Sequence, residues 1–144
     1  GTDDLYASYL ARFLKPCGQI GIAGSGLVAE FDGHVPEHLA PWWEPSLACL
    51  HSPAWWRQHW ERSGILDVEV ADTMSDGWRR WLDWQHAVSP DNTTEIDVIG
   101  TDAGRHLGYV RAVGRLRADT VLDEPIAAIP VEYVPAPLRR PNDH

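Results

Sequence analysis

The sequence predicts an α/β protein with a small mixed three-stranded sheet and helices packed on it. Segments with helical periodicity alternate with short strand-like segments along residues 2–117, and glycines and prolines separate them. With 144 residues, of which 44% are hydrophobic, the chain can bury the core of one domain. We expect this domain to span residues 1–118 and a proline-rich C-terminal extension to occupy residues 119–144.

The first helix and strand follow each other closely. Apolar residues at three-to-four spacing predict a helix from residue 3 to about residue 14, and Pro16 ends it. Gly18 is expected to permit the backbone reversal that follows. Residues 19–23, with the sequence Gln-Ile-Gly-Ile-Ala, have the pattern of a short buried strand.

A second helix and strand follow an irregular stretch over residues 27–51. Ser52 is a favourable helix cap and Gly64 a favourable helix end, so the segment between them is predicted to be helical. Residues 67–71 alternate polar and apolar side chains, as a half-buried strand does.

The last part of the domain has two helical patterns and one strand. Residues 77–88 carry an apolar stripe. Asn92 followed by Glu95 resembles a capping box and is expected to open a weaker helix. A longer strand is predicted over residues 107–117.

Charge and hydropathy exclude several classes of partner. The chain has 12 basic and 21 acidic side chains, a net charge of −9, and such a surface repels phosphate backbones, so we expect no nucleic-acid partner. No apolar run is long enough to span a membrane and the start lacks a signal-peptide pattern, so a cytoplasmic protein without membrane contact is expected. Cys17 and Cys49 lack metal-ligand spacing and are expected to be free thiols.

Eight tryptophans lie between residues 42 and 84. Such clustering forms either a heavy local core or an aromatic-walled pocket for a flat or cationic ligand, and both alternatives remain open. Helical spacing favours the core for some of them, whereas Trp42 and Trp43 lie in a predicted loop and suit a pocket. The candidate substrate-binding residues are Trp42, Trp43, Trp55, Trp56 and Trp78.

His51 and the His34–His38 segment are candidates for acid–base catalysis and for zinc binding, respectively. His51 lies just before a predicted helix start and could act as a general base on a substrate hydroxyl or amine; the alternative is a surface or capping histidine. His34, Glu37 and His38 match the H-x-x-E-H pattern of a zinc peptidase. Pro36 opposes the continuous helix that this pattern needs, so a solvent-facing loop is the preferred interpretation and no bound metal is expected.

Two passages resemble one family. Residues 9–22, with the sequence YLARFLKPCGQIGI, resemble the helix, Leu-Lys-Pro-Gly-Gly turn and fifth strand of class I S-adenosylmethionine-dependent methyltransferases, with Cys17 in place of the first glycine. Residues 51–60, with the sequence HSPAWWRQHW, resemble the helix before the sixth strand in a bacterial small-molecule branch of that family. The resemblance covers roughly residues 2–117, the C-terminal half of such an enzyme.

The resemblance implies the last strands of a Rossmann-like fold, in which the strand near residues 107–117 lies between the other two and runs antiparallel to them. It implies the substrate-side half of a small-molecule methyltransferase. The family binds S-adenosylmethionine with a glycine-rich loop between a strand and a helix, followed by an acidic residue, and this chain has no such unit. Gly21, Gly24 and Gly26 follow a strand, but no helix opens after them, so they are interpreted as turn glycines at a strand end. We therefore expect the chain alone to bind no cofactor and to be inactive by itself.

The resemblance also leaves one strand edge uncovered. Residues 19–23 would lack the neighbour that the family's fourth strand provides, and an open apolar edge favours pairing with another chain. A homo-oligomer or a complementary chain is therefore expected at this strand. The alternative to a methyltransferase is a non-catalytic module derived from that fold, which binds a small aromatic ligand or a protein; a zinc enzyme ranks third.

Overall fold

The computed structural model describes residues 3–121. The predicted extension therefore lies outside the described residues, apart from residues 119–121. In chain order the elements are α1 (Asp3–Ala11), β1 (Gln19–Leu27), a short 3-10 helix (Pro45–Cys49), α2 (Pro53–Ser63), β2 (Leu66–Thr73), α3 (Gly77–Val88), α4 (Thr93–Asp102) and β3 (Leu107–Leu116). None of the helices in this range combines the length and apolarity needed to cross a membrane.

Within residues 3–121 the sheet has three strands in the order β1-β3-β2. The last strand, β3, pairs antiparallel with both of the others, from Leu27 opposite Leu107 in β1 to Leu66 opposite Leu116 in β2. Because β1 and β2 are both antiparallel to β3, they run in the same direction, and their carboxyl ends lie at the same end of the sheet. The expected α/β class and the expected central position of the last strand are confirmed.

The first helix is shorter than predicted. It ends at Ala11 rather than near residue 14. Beyond Ala11, the N–H of Phe13 donates to the carbonyl of Leu10. A hydrogen bond between residues three apart is typical of a 3-10 turn and not of an α-helix. Phe13 is also 71% exposed, so the apolar stripe does not hold this last turn on the core.

The first strand is longer than predicted. It continues through Gly24 and Gly26 to Leu27, so these glycines are strand residues and not the turn glycines that were expected. A side chain at Gly26 would come within 2.6 Å of Val110 Cγ2 and 2.7 Å of the His51 carbonyl oxygen. Glycine is therefore needed here for close packing between backbone segments, which its position in the sequence alone does not distinguish from a turn.

The reversal between α1 and β1 takes place at a different residue from the one expected. Cys17 adopts a positive φ of 58°, whereas Gly18 does not. A Cβ at Gly18 would lie 2.8 Å from the Lys15 carbonyl oxygen, so glycine at this position permits the close approach of the backbone in this turn. Its own N–H donates to that carbonyl at 2.7 Å.

Two hydrophobic cores lie on opposite faces of the sheet. On the first face α1 and α2 pack against the strands, with Trp60 of α2 fully buried over Gly114. On the second face α3, α4 and the loop after β1 surround Leu107, with Leu39 and Trp81 buried beside it. Trp60 and Trp81 are thus core residues.

The remainder of the second face carries a row of exposed ion pairs between β3 and β2. Arg111 donates to both carboxylate oxygens of Asp72, at 3.0 and 2.5 Å, and this lowers the pKa of Asp72. Arg115 Nε donates to one carboxylate oxygen of Glu69 at 2.6 Å. Exposed pairs of this kind contribute little to stability.

Candidate functional site

A cleft of about 550 Å³ opens at the end of the sheet where β1 and β2 terminate. Its floor comes from the last half of β1 and the first half of β3, and its wall comes from α3 and the turn before it. The lining residues are Ala23, Ser25, Met74, Gly77, Arg80, Trp81, Trp84 and Tyr109.

Close packing at Gly77 fixes the wall of this cleft. A Cβ at Gly77 would lie 2.3 Å from the Cβ of Tyr109, so α3 begins in direct contact with β3. The N–H of Met74 also donates to the Tyr109 carbonyl at 2.8 Å. From this start, Arg80, Trp81 and Trp84 follow at helical spacing and share one face of α3, which is the face that lines the cleft.

The cleft is suited to a flat ligand. Trp84 is 57% exposed and Met74 37% exposed, so a large apolar area faces solvent at the cleft. An indole with an open face stacks readily with an aromatic ring. Arg80 and Ser25 supply a cationic group and a hydroxyl among otherwise apolar lining residues.

The structure divides the predicted tryptophans between the two faces. Trp42, Trp43 and Trp78 are half-buried against the core around Leu107, whereas Trp56 is half-buried against the core on the other face. None of the five predicted substrate-binding residues lines the cleft of α3. Their substrate-binding role stays a prediction.

Among these tryptophans, Trp42 packs against the ring of a residue that lines the cleft. The centroid of the Trp42 ring is 5.9 Å from that of the Trp81 ring, so Trp42 packs against Trp81 without lining the cleft itself. Trp42 also lines a shallower depression, with Asn92 and Glu95 at the start of α4. Trp78 instead packs on the turn before β3, where a Cβ at Gly104 would come within 2.5 Å of its ring.

Trp84 is not among the site residues predicted from the sequence. In residues 77–88 it lies outside the apolar stripe that faces the core, and it is the largest apolar residue that does so. An indole at the border of the apolar stripe of the helix was the available signal, since core packing does not explain it.

The structure places a carboxylate beside His51, which sequence reasoning did not find. The His51 ring stacks on Trp55 with centroids 3.5 Å apart and planes 5° apart. Glu30 Oε2 lies 3.9 Å from His51 Nδ1, and Glu30 Oε1 accepts the N–H of Ser52 at 2.7 Å. His51 does not line the cleft of α3, and its role as a general base stays a prediction.

A second polar group lies at the same end of the sheet as the cleft. Asp102, the last residue of α4, is fully buried, and its Oδ1 lies 2.8 Å from His38 Nε2 and 3.0 Å from His106 Nδ1. Its Oδ2 accepts the N–H groups of His106 and Leu107 at 3.0 and 2.8 Å. We call this group the His38–Asp102–His106 cluster.

The environment of Asp102 favours its charged form. Burial by itself raises the pKa of this carboxyl group, but the hydrogen bonds from the backbone of His106 and Leu107 and from the two imidazole rings outweigh burial. The pKa of Asp102 therefore lies below its ordinary value. The cluster thus combines an ionised buried carboxylate with two imidazoles that reach the surface.

Only one member of the H-x-x-E-H pattern belongs to this cluster. His34 and Glu37 are exposed, whereas His38 turns toward Asp102. A turn begins at Pro36, whose carbonyl accepts the N–H of Leu39 at 2.9 Å, and this is the short helical turn that was expected there. The continuous helix of a zinc peptidase motif is not formed, because Pro36 interrupts it.

No protein-family model and no curated protein matches this sequence. What can be inferred about function therefore comes from the strand topology, the cleft and the His38–Asp102–His106 cluster.

Proposed function

We propose that this chain is the substrate-side half of a class I S-adenosylmethionine-dependent methyltransferase that acts on a small molecule. The observation that carries the proposal is the strand order β1-β3-β2, in which a long final strand lies between two strands of opposite direction. The turn Lys15-Pro16-Cys17-Gly18 directly before β1 supports the same assignment. The resemblance implies this same strand order.

The methyl donor would be bound outside these 144 residues, by another part of a longer chain or by a separate chain. No strand–glycine loop–helix unit suited to the donor is present in this sequence. The outer side of β1 pairs with no strand in the described residues, and this is the place where the family's fourth strand would add. The cofactor-binding half is proposed to pair there.

The substrate is proposed to be a flat aromatic molecule bound in the cleft of α3. In open α/β sheets ligands bind beyond the carboxyl ends of the strands, and the cleft lies at that end of β1 and β2. Trp81, Trp84 and Tyr109 supply aromatic surface. The guanidinium of Arg80 repels a cationic ligand and attracts a carboxylate or phenolate, so a neutral or anionic aromatic compound fits best.

The test of the enzyme proposal is the coding sequence immediately upstream of Gly1. We expect a glycine-rich strand–loop–helix followed by an acidic residue, in the same gene or in an adjacent one. The two halves, produced together, should bind S-adenosylmethionine in isothermal titration calorimetry, whereas the 144-residue chain alone should not. Tight donor binding by this chain alone, or two halves that bind no donor, would contradict the proposal that the other half binds the donor and this chain binds the substrate.

The test of the cleft uses saturation-transfer NMR on the chain itself, with a panel of phenols and aromatic carboxylic acids as probes. Trp84→Ala should weaken the binding of any probe that stacks there by roughly five- to tenfold, in line with the value of an aromatic pair. Trp55→Ala is the matched control, since Trp55 lies outside the cleft. Equal losses in the two variants would show that the cleft is not the binding site.

A non-catalytic ligand-binding module is the second candidate. It is favoured by the aromatic surface that Trp81, Trp84 and Tyr109 give the cleft in a sequence that carries no glycine-rich donor loop. This function predicts probe binding that does not change when the donor-binding half is added. A methyltransferase instead predicts tighter probe binding, or methyl transfer, once donor and both halves are present.

A further inference from the structure

We propose that the His38–Asp102–His106 cluster is a binding site for a divalent first-row transition-metal ion. One ligand atom from each of the three side chains lies within 4.8 Å of the other two. Two imidazoles and one carboxylate are the ligand types that zinc, iron(II) and cobalt(II) sites use. This inference concerns the present chain alone and does not depend on the proposed methyltransferase function.

The distances between the donor atoms suit a common ion. Asp102 Oδ1 lies 2.8 Å from His38 Nε2 and 3.0 Å from His106 Nδ1. Two ligands that each bind a metal at about 2.1 Å are separated by about 3.0 Å at right angles and about 3.4 Å at the tetrahedral angle. The ligand atoms of the two imidazoles lie within 4.8 Å of each other, so a rotation of the rings toward each other would bring all three donors onto one ion.

The carboxylate is held in place independently of any metal. Its other oxygen, Oδ2, accepts the N–H groups of His106 and Leu107, which leaves Oδ1 directed at the two imidazoles. The turn between α4 and β3, which carries Ala103 and Gly104 at positive φ, returns His106 to this carboxylate. Hydrogen bonds of this kind to a ligating carboxylate orient it and raise metal affinity.

The two histidines are anchored from different parts of the chain. Leu39, which is fully buried, fixes the loop that carries His38. The carbonyl of His106 accepts the N–H of Val28 at 2.8 Å, which ties His106 to the end of β1. The ion would therefore join the loop after β1 to the α4–β3 turn and add a link between them.

The site is open on one side. The Asp102 side chain has no exposed area, whereas those of His38 and His106 are 23% and 38% exposed. An ion bound by these three groups would keep coordination positions toward solvent, as catalytic metal sites do and closed structural zinc sites do not. Phe31 lies against the His106 ring, with centroids 6.3 Å apart, and gives the site an apolar border.

The experiment is metal titration of the chelator-treated 144-residue chain. Zn²⁺ should bind in calorimetry with about one equivalent per chain, and Co²⁺ should give visible d–d bands that Zn²⁺ abolishes. His38→Ala and His106→Ala should each weaken Zn²⁺ binding at least about a hundredfold, since even indirect supports of a metal site are worth ten- to a hundredfold. Circular dichroism establishes that both variants are folded.

The matched controls are His34→Ala and His86→Ala, which remove exposed histidines outside the cluster. Both should retain the wild-type affinity and the Co²⁺ spectrum. Asp102→Asn provides a third ligand variant if either histidine variant fails to fold. Absence of Zn²⁺ and Co²⁺ binding by the wild-type chain, or affinity that survives both histidine substitutions, would overturn the proposal. Because no methyl donor is involved, this result is separate from the outcome for the proposed function.

Discussion

Cys17 has a backbone conformation that was not predicted from the sequence. Its φ of 58° lies in the left-handed region, which costs a residue with a side chain about 1–2 kcal/mol. The family resembled here has glycine at this place, and glycine adopts this conformation without strain. Sequence reasoning located the turn correctly but assigned the reversal to the neighbouring Gly18, because a cysteine gives no sign of a positive φ.

Cys17→Gly should therefore raise the free energy of unfolding by about 0.5–1 kcal/mol, the relief of strain less the larger unfolded-state entropy of glycine. The Cys17 side chain is exposed, so no packing is lost. Urea denaturation followed by tryptophan fluorescence measures the change. Cys17→Ala, which removes the thiol but keeps the strain, is the control and should change stability by less than about 0.5 kcal/mol. A gain of equal size in both variants would mean that the thiol is the cause.

Asp102 gives a prediction about pH at the same scale. The pKa of Asp102 is lowered in the folded state. Near the ordinary aspartate pKa of about 4, the unfolded chain therefore binds more protons than the folded chain does. The stabilisation is complete above that pH and is lost as the pH falls through the lower folded-state pKa. In chelating buffer, the stability difference between the wild type and Asp102→Asn should be largest near neutral pH and should shrink below about pH 4. A constant difference would show that the charge of Asp102 contributes nothing.

At the scale of elements, α3 was predicted as accurately as α2. Its bounds, Gly77–Val88, are those that the apolar stripe indicated, because local periodicity and core packing agree there. β1 was predicted less well. Its second half is rich in glycine, and whether glycine marks a turn or a close contact depends on what lies opposite, here Val110 and the backbone at His51.

The contact of α3 with β3 yields an element-scale prediction. Gly77→Ala should lower the free energy of unfolding by about 2 kcal/mol or more, since the added methyl group meets the Tyr109 backbone and Cβ. The displaced helix should also widen the cleft and weaken probe binding there. Gly24→Ala, where nothing lies within 4 Å of the added Cβ, is the control and should change stability by less than about 1 kcal/mol. Similar losses in the two variants would contradict the packing argument.

At the scale of the whole molecule, the outer side of β1 pairs with no strand among residues 3–121. β1 has nine residues and forms one edge of the sheet, and its residues Gly21, Ala23 and Ser25 are exposed. Native proteins rarely leave a long flat edge of this kind uncovered, because its unpaired N–H and C=O groups bind other strands. Pairing with a second copy or with a complementary chain therefore remains the proposed use of this edge.

In sedimentation velocity, the chain alone should associate in a concentration-dependent manner through this edge. Gly21→Lys, which places a charge on the edge strand without a steric clash, should shift the population toward monomer by at least about fivefold in dissociation constant. Ala87→Lys on α3, also exposed, is the control for net charge and should leave association unchanged. A monodisperse wild-type monomer would remove the reason for a partner at β1.

The sequence by itself determined the α/β class, the order of helices and strands and, through the resemblance at Lys15-Pro16-Cys17-Gly18, the central position of β3. Local periodicity and caps such as Ser52, whose side chain accepts the N–H of Trp55, are properties of neighbouring residues and can be predicted from them. Only the tertiary structure decided which tryptophans line the cleft and that His38 meets Asp102 and His106. These contacts join residues far apart in the chain, and their geometry depends on how β3 brings the loop after β1 and the turn after α4 to one end of the sheet.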